Sequence, residues 1–101
     1  MKLWIDDLRM PPDNDWEWAK TAHEAVRILR LHWNEINEVS FDHDLGENSR
    51  TGYDILTWIE RRVARGNKFY ALMFTHSANP VGRANMLAAI QSINRLIRVQ
   101  S

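Results

Sequence analysis

The sequence predicts an α/β domain: a mainly parallel sheet of roughly four to five strands with about three helices. Three observations lead there. Short apolar runs at Leu3-Trp4-Ile5, Val39-Ser40-Phe41 and Ala71-Leu72-Met73-Phe74-Thr75 have strand length and composition. Segments with helical periodicity separate the later runs. Each run ends on polar chemistry: Asp6-Asp7, Asp42-His43-Asp44, and His76-Ser77-Ala78-Asn79-Pro80. Parallel strands end on one edge, and ligands bind in the crevice there. Residues remote in sequence are therefore expected to form a single polar cluster.

Each element has a local reason. Leu3-Trp4-Ile5 suits a buried strand, and Asp6-Asp7 ends it. Met10-Pro11-Pro12-Asp13-Asn14-Asp15 is loop chemistry, because proline fixes φ and Asp/Asn side chains compete for backbone hydrogen bonds. Trp16, Trp18 and Lys20 alternate with Glu17 and Ala19, the pattern of an edge-like strand over 16–20. Thr21-Ala22-His23-Glu24 is a capping-box pattern. The helix it starts has Ala22, Ala25, Val26, Leu29 and Trp33 on one face.

A polar loop runs from Gly46 to Thr51, and the next helix starts at Gly52 with Ile55, Leu56, Ile59 and Val63 as its apolar side. Asp54 is either favourable first-turn charge or a site residue, Tyr53 either a lid or a packing residue, and Gly66 the C-terminal cap. Residues 69–75, the most apolar run, read as a strand covered on both faces. Asn79 as cap with Pro80 at the first helical position starts the last helix, whose buried side is Met86, Leu87, Ile90 and Ile93. Leu96 to Val99 either continues it or forms a final strand. No helix is expected between the first two strands, since residues 8–15 are too few and too rich in proline.

A chain of 101 residues is one domain, 1–101, with a modest core to which five Trp contribute heavily. Thirteen basic and thirteen acidic residues leave no net charge, so no extended nucleic-acid surface is expected, although a local anion site is compatible with the sequence. Cysteine is absent, which removes disulfides and thiolate metal sites. With no apolar leader and no membrane-length apolar stretch, a cytoplasmic protein is the default expectation.

The candidate site follows from the strand ends. Asp6, Asp7, Asp42 and Asp44 suit a hard divalent cation, Mg²⁺ or Mn²⁺. Clustered carboxylates need compensation, which Arg9 and Arg83 also offer. Any one of these acids alone reads better as a cap or a strand terminator. His43 and His76 suit proton transfer near neutral pH, and they equally admit Zn²⁺ or Fe²⁺. His23 and His32 lie away from that edge and are given no role. Ser77, Asn79, Arg83 and the start of the last helix form a candidate phosphate pocket. No Ser-His-Asp spacing marks Ser77 as a nucleophile, and no glycine-rich phosphate loop is present.

Leu3-Trp4-Ile5-Asp6-Asp7-Leu8-Arg9, Ser40-Phe41-Asp42-His43-Asp44-Leu45-Gly46, Gly52-Tyr53-Asp54 and His76-Ser77-Ala78-Asn79-Pro80 together resemble the cyclic-phosphate processing receiver domains, over roughly residues 1–95. These are compact relatives of response-regulator receivers, associated with bacterial and phage conflict systems. The resemblance implies a flavodoxin-like three-layer sandwich with the first strand beside the third, bringing Asp6 and Asp7 next to Asp42. It matches Asp42 to the receiver phosphoacceptor and His76-Ser77 to the Thr or Ser after the fourth strand. The Lys that receivers carry after a fifth strand has no counterpart; only Arg98 and a few residues remain there.

Two functions follow as expectations. The first is a metal-assisted phosphoesterase or phosphodiesterase acting on a cyclic-phosphate or nucleotide-derived small molecule. In it Asp6, Asp7, Asp42 and Asp44 hold the metal, His43 and His76 exchange protons, and Arg9, Ser77, Asn79 and Arg83 hold phosphate oxygens. The second is a non-catalytic receiver-like module that binds a nucleotide or a partner protein, or accepts phosphate on Asp42.

Overall fold

A computed structural model describes residues 1–46 and 50–100; residues 47–49 of the loop after Gly46 lie outside them. In chain order the elements are β1 (Lys2–Ile5), β2 (Trp16–Ala19), α1 (Ala22–Leu31), β3 (Glu38–Phe41), α2 (Gly52–Ala64), β4 (Leu72–Thr75) and α3 (Pro80–Gln100). The four strands form one all-parallel sheet in the order β2-β1-β3-β4. This is the flavodoxin-like, receiver-like arrangement that the sequence predicts, with β1 beside β3. Ile5, Phe41 and Thr75 stand in register, so the residues that follow them, Asp6, Asp42 and His76, form one row.

The passages from β2 through α1 to β3, and from β3 through α2 to β4, step the same way across the sheet. Right-handed crossovers then place α1 and α2 on the same face. The third helix, α3, packs along α2. Beneath them Leu3, Ile5, Val39 and Phe41 are fully buried against Leu29, Ile55, Leu56, Ile59, Met86 and Ile93. Each such side chain contributes about 1.5–3 kcal/mol on leaving water.

The class, the parallel sheet and the helix number are as expected, while the helices described here form a single layer. The crossover that would cover the second face is the one from β1 to β2, and it is a loop of residues 6–15. Alternate strand residues on that face are therefore half-buried or exposed: Trp4, Trp16 and Trp18, then Leu72 and Phe74. The indoles shield one another. Trp4 meets Trp16 edge to face at 5.7 Å, and the ammonium groups of Lys2 and Lys20 lie over Trp16 and Trp18.

Several local expectations change. The apolar run at 69–75 yields only four strand residues, at the sheet edge, with Leu72 61% and Phe74 45% exposed. Its hydrophobicity reflects an edge position with one bare face, not cover on both sides. α3 continues through Leu96–Val99, so there is no terminal strand there. α1 stops at Leu31, and Trp33 is buried from the turn beyond it. The Glu24 carboxylate reaches back to the amide of Lys20 and not to that of Thr21, while Thr51 and Asp54 form the complete capping box. Gly66, at φ +100°, closes α2 as expected. No helix among the described residues is long and apolar enough to cross a membrane.

Gly52 is required by close approach: a Cβ there would collide with the carbonyl oxygen of Asp42 and press on Met86 Sδ at 2.8 Å. At Gly66 nothing lies within 4 Å, and only the backbone conformation resists a side chain. Gly52→Ala is expected to cost about 3 kcal/mol, against about 1 kcal/mol for Gly66→Ala. Urea unfolding of the two variants checks the ranking.

Candidate functional site

The site begins with how β1 ends. The amide of Asp6 still donates to Ala19, but its Oδ1 accepts from the amides of Leu8 and Arg9, both at 2.8 Å. An Asp side chain bonded to amides two and three residues on turns the chain out of the sheet. Two indoles from the bare face hold the turn: Trp18 donates to the Asp6 carbonyl at 2.7 Å and Trp4 to that of Arg9 at 2.9 Å. On β3, the amide of Asp42 donates to Ile5, and Asp42 Oδ1 accepts from the amide of His43.

Oxygens of Asp6, Asp7 and Asp42 lie within 4.8 Å of one another. Asp6 is fully buried and Asp42 nearly so. Burial pushes the Asp6 carboxyl up, but the amides of Arg9 and Leu8 and the bond from His76 outweigh it and hold the group below its ordinary value. Burial and the charge of Asp6 push Asp42 upward, and the His43 amide, His76 and Arg9 offset only part of this. The pair thus favours the charged form of Asp6 and disfavours that of Asp42. A divalent cation relieves the same repulsion. The cluster consists only of hard oxygen donors and includes no imidazole, which fits Mg²⁺ or Mn²⁺ better than Zn²⁺ or Fe²⁺.

Asp44, expected among the ligands, is not in this cluster. Its side chain is 67% exposed and bonds His43 Nδ1 at 3.0 Å and Asn79 at 3.4 Å, contacts that hold its carboxyl low.

The two His residues occupy different settings. His76 Nε2 meets Asp6 Oδ2 at 2.9 Å, Nδ1 meets Ser40 Oγ at 2.7 Å, and the ring lies flat on Trp4 at 3.8 Å. Burial lowers its pKa although Asp6 opposes the shift, so the ring is neutral near pH 7. An ionised Asp6 can only accept, which assigns the ring proton to Nε2 and makes Nδ1 the acceptor of the Ser40 hydroxyl. Both nitrogens are thus engaged, Nε2 with Asp6 and Nδ1 with the Ser40 hydroxyl that orients the ring. His43 turns instead to the start of α3, where a Cβ on Gly82 would fall on its ring. Neither imidazole lines the cavity above the carboxylates.

That cavity, about 420 Å³, is lined by Asp7, Arg9, Asp42, Asp44, Ser77 and Asn79, with Leu8, Gly46 and Ala78 between them. The Arg9 guanidinium donates to the His76 carbonyl at 3.2 Å and lies 3.7 Å from Asp6. Ser77 Oγ accepts from the amide of Asn79, and Asn79 Oδ1 caps α3 by accepting from Gly82. Arg83 is exposed and outside this lining, and Tyr53 lines a separate groove against α3, so neither borders the cavity. Sequence reasoning missed Ser40 and Trp4, the supports of His76. The available signal was Ser40 itself, a polar residue inside the apolar run Val39-Ser40-Phe41.

Among known proteins, the family model described as cyclic-phosphate processing receiver domain matches residues 1–92. No curated protein and no solved structure matches the chain.

Two pH effects follow. Folding lowers the His76 pKa, so stability is full above about pH 6.5 and falls as pH drops through that value, where the unfolded chain binds the proton more readily. His76→Gln is expected to flatten this slope. Folding raises the Asp42 pKa, so ionised Asp42 destabilises the metal-free protein. Asp42→Asn is expected to raise the melting temperature near pH 7 in EDTA, with the gain shrinking in acid. Thermal melts across pH measure both.

Proposed function

The chain belongs to the cyclic-phosphate processing receiver domain family, and on that premise we propose that its acidic pocket is a metal-assisted phosphoesterase site for a small cyclic-phosphate or nucleotide-derived substrate. The observation that carries this reading is the juxtaposition of three carboxylates with a cavity of about 420 Å³ whose other wall holds Arg9, Ser77 and Asn79. Acids on one side and phosphate-binding groups on the other suit a ligand that is held through a cation and through its own oxygens.

Asp6, Asp7 and Asp42 would hold a divalent ion, which when bound neutralises phosphoryl charge and acidifies water. Arg9, held by the His76 carbonyl and beside Asp6, borders the cavity and would turn N–H groups from the carbonyl to a phosphate oxygen. Ser77 and the first turn of α3 add donors, weakened by the missing amide of Pro80. Hydrolysis adds water across one ring P–O bond: oxygen joins phosphorus, and the ring oxygen departs as a hydroxyl after gaining a proton. Asp44 borders the cavity and is bonded to His43, so that pair is the proton carrier this reading assigns. His76 acts as a positioning residue through Asp6.

One observation favours a second reading. With neither imidazole lining the cavity, Asp42 at the end of β3 is placed as well for accepting phosphate as for holding an ion. The site would then be a receiver-like binding module.

Purified protein incubated with 2′,3′- and 3′,5′-cyclic nucleotides separates the two. Hydrolysis is expected with Mg²⁺ or Mn²⁺ and not in EDTA. His43→Ala should lower turnover about 10²–10⁴-fold, and His76→Ala about 10–100-fold through loss of the support to Asp6. Ligand binding without product, or a mass gain of one phosphoryl group on Asp42 from a small phosphoryl donor, would support the second reading instead.

A further inference from the structure

A second cavity of about 440 Å³ lies at the opposite end of the sheet, where α1 leads into β3 and α2 into β4. Arg30, Arg62 and Lys68 line it, and its one acidic side chain, Glu35, is bonded to His32 at 2.9 Å. Among the described residues none of these three cations is ion-paired with a carboxylate.

Arg62 is held in a particular way. Its guanidinium lies 4.6 Å from the ring centre of Trp33 and 5.2 Å from that of Trp58. Trp33 is itself anchored, 7% exposed, against Phe69 and by its indole N–H to the Lys68 carbonyl. The two indoles stand at 82° to each other, so the guanidinium sits in the corner between them, where its planar set of N–H donors can offer the fork that matches an oxyanion. Much of the ordering cost of the long side chain is therefore met before any ligand arrives. A fixed fork without a carboxylate, beside two more cations, favours a dianion over a monoanion. The volume is that of a small-ligand pocket, and Tyr70, 73% exposed at the rim, offers a ring to a planar group.

We propose that this cavity binds a phosphomonoester dianion, with the Arg62 fork as its main anchor and Arg30 and Lys68 completing the charge. It uses no residue of the acidic pocket and stands whether or not that pocket is catalytic.

Titration of the ¹⁵N-labelled full chain in EDTA, at constant ionic strength, with inorganic phosphate, AMP and 2′,3′-cyclic AMP tests it. Phosphate and AMP are expected to shift the Trp33 indole and the Arg62 and Lys68 signals saturably, with the cyclic diester several-fold weaker. Equal affinity for phosphate and AMP would assign free phosphate as sufficient, and tighter AMP would assign a nucleotide; both outcomes support the site. Arg62→Lys, which keeps a cation over the indoles and loses the fork, should weaken AMP about tenfold with the rest of the spectrum unchanged. The proposal is overturned if chloride produces the same shifts, if Arg62→Lys binds as the parent does, or if shifts gather only at Asp7–Arg9 and Ser77–Asn79.

Discussion

Burying Asp6 and Asp42 side by side on adjacent parallel strands creates a charge repulsion around which much of the molecule is arranged. Asp6 is stabilised as an anion by two amides of its own turn and by His76. Asp42, with one amide and a charged neighbour, is buried at a cost that holds its carboxyl above the ordinary value. The asymmetry comes from backbone geometry: β1 turns away immediately and supplies two amides to Asp6, whereas β3 supplies one to Asp42.

The uncovered sheet face is tied to this site. Without a helix between β1 and β2, that face is covered by indoles, and those indoles also support the pocket. Trp4 carries the His76 ring on its surface and holds the Arg9 carbonyl; Trp18 holds the Asp6 carbonyl. Support that a helix would give by packing comes here from hydrogen bonds and ring contacts of the strands themselves. The loop of residues 6–15 can consequently be short and rich in proline while Asp7 and Arg9 stay in place.

Charge is also segregated along the strands. Carboxylates gather where strands end, and Arg30, Arg62 and Lys68 gather where they begin. A net charge of zero conceals this, because the sum carries no information about position. A chain with no net charge can for the same reason hold a compact cationic cavity.

Strand identity, parallel class and the convergence of Asp6, Asp7 and Asp42 were legible because they depend on local pattern and on one rule of α/β chirality. Apolar runs end on acids, helical periods separate the later runs, and right-handed crossovers bring the ends together. What the run at 69–75 concealed was exposure: Leu72 and Phe74 are apolar yet uncovered, since hydrophobicity does not say whether a neighbouring layer exists. The two His residues looked equivalent, each after a strand and beside polar groups. Only packing separated them, placing His76 between Asp6, Ser40 and Trp4, and His43 against Gly82. Asp44 and Arg83 were assigned by proximity in sequence, and side-chain direction put one at the cavity rim and the other outside it. Residue chemistry and the parallel class were thus set by the chain's own pattern, while β1 beside β3 was expected only from the family resemblance. Which nitrogen faces which carboxylate depends on contacts between segments dozens of residues apart, and those exist only once the sheet has formed.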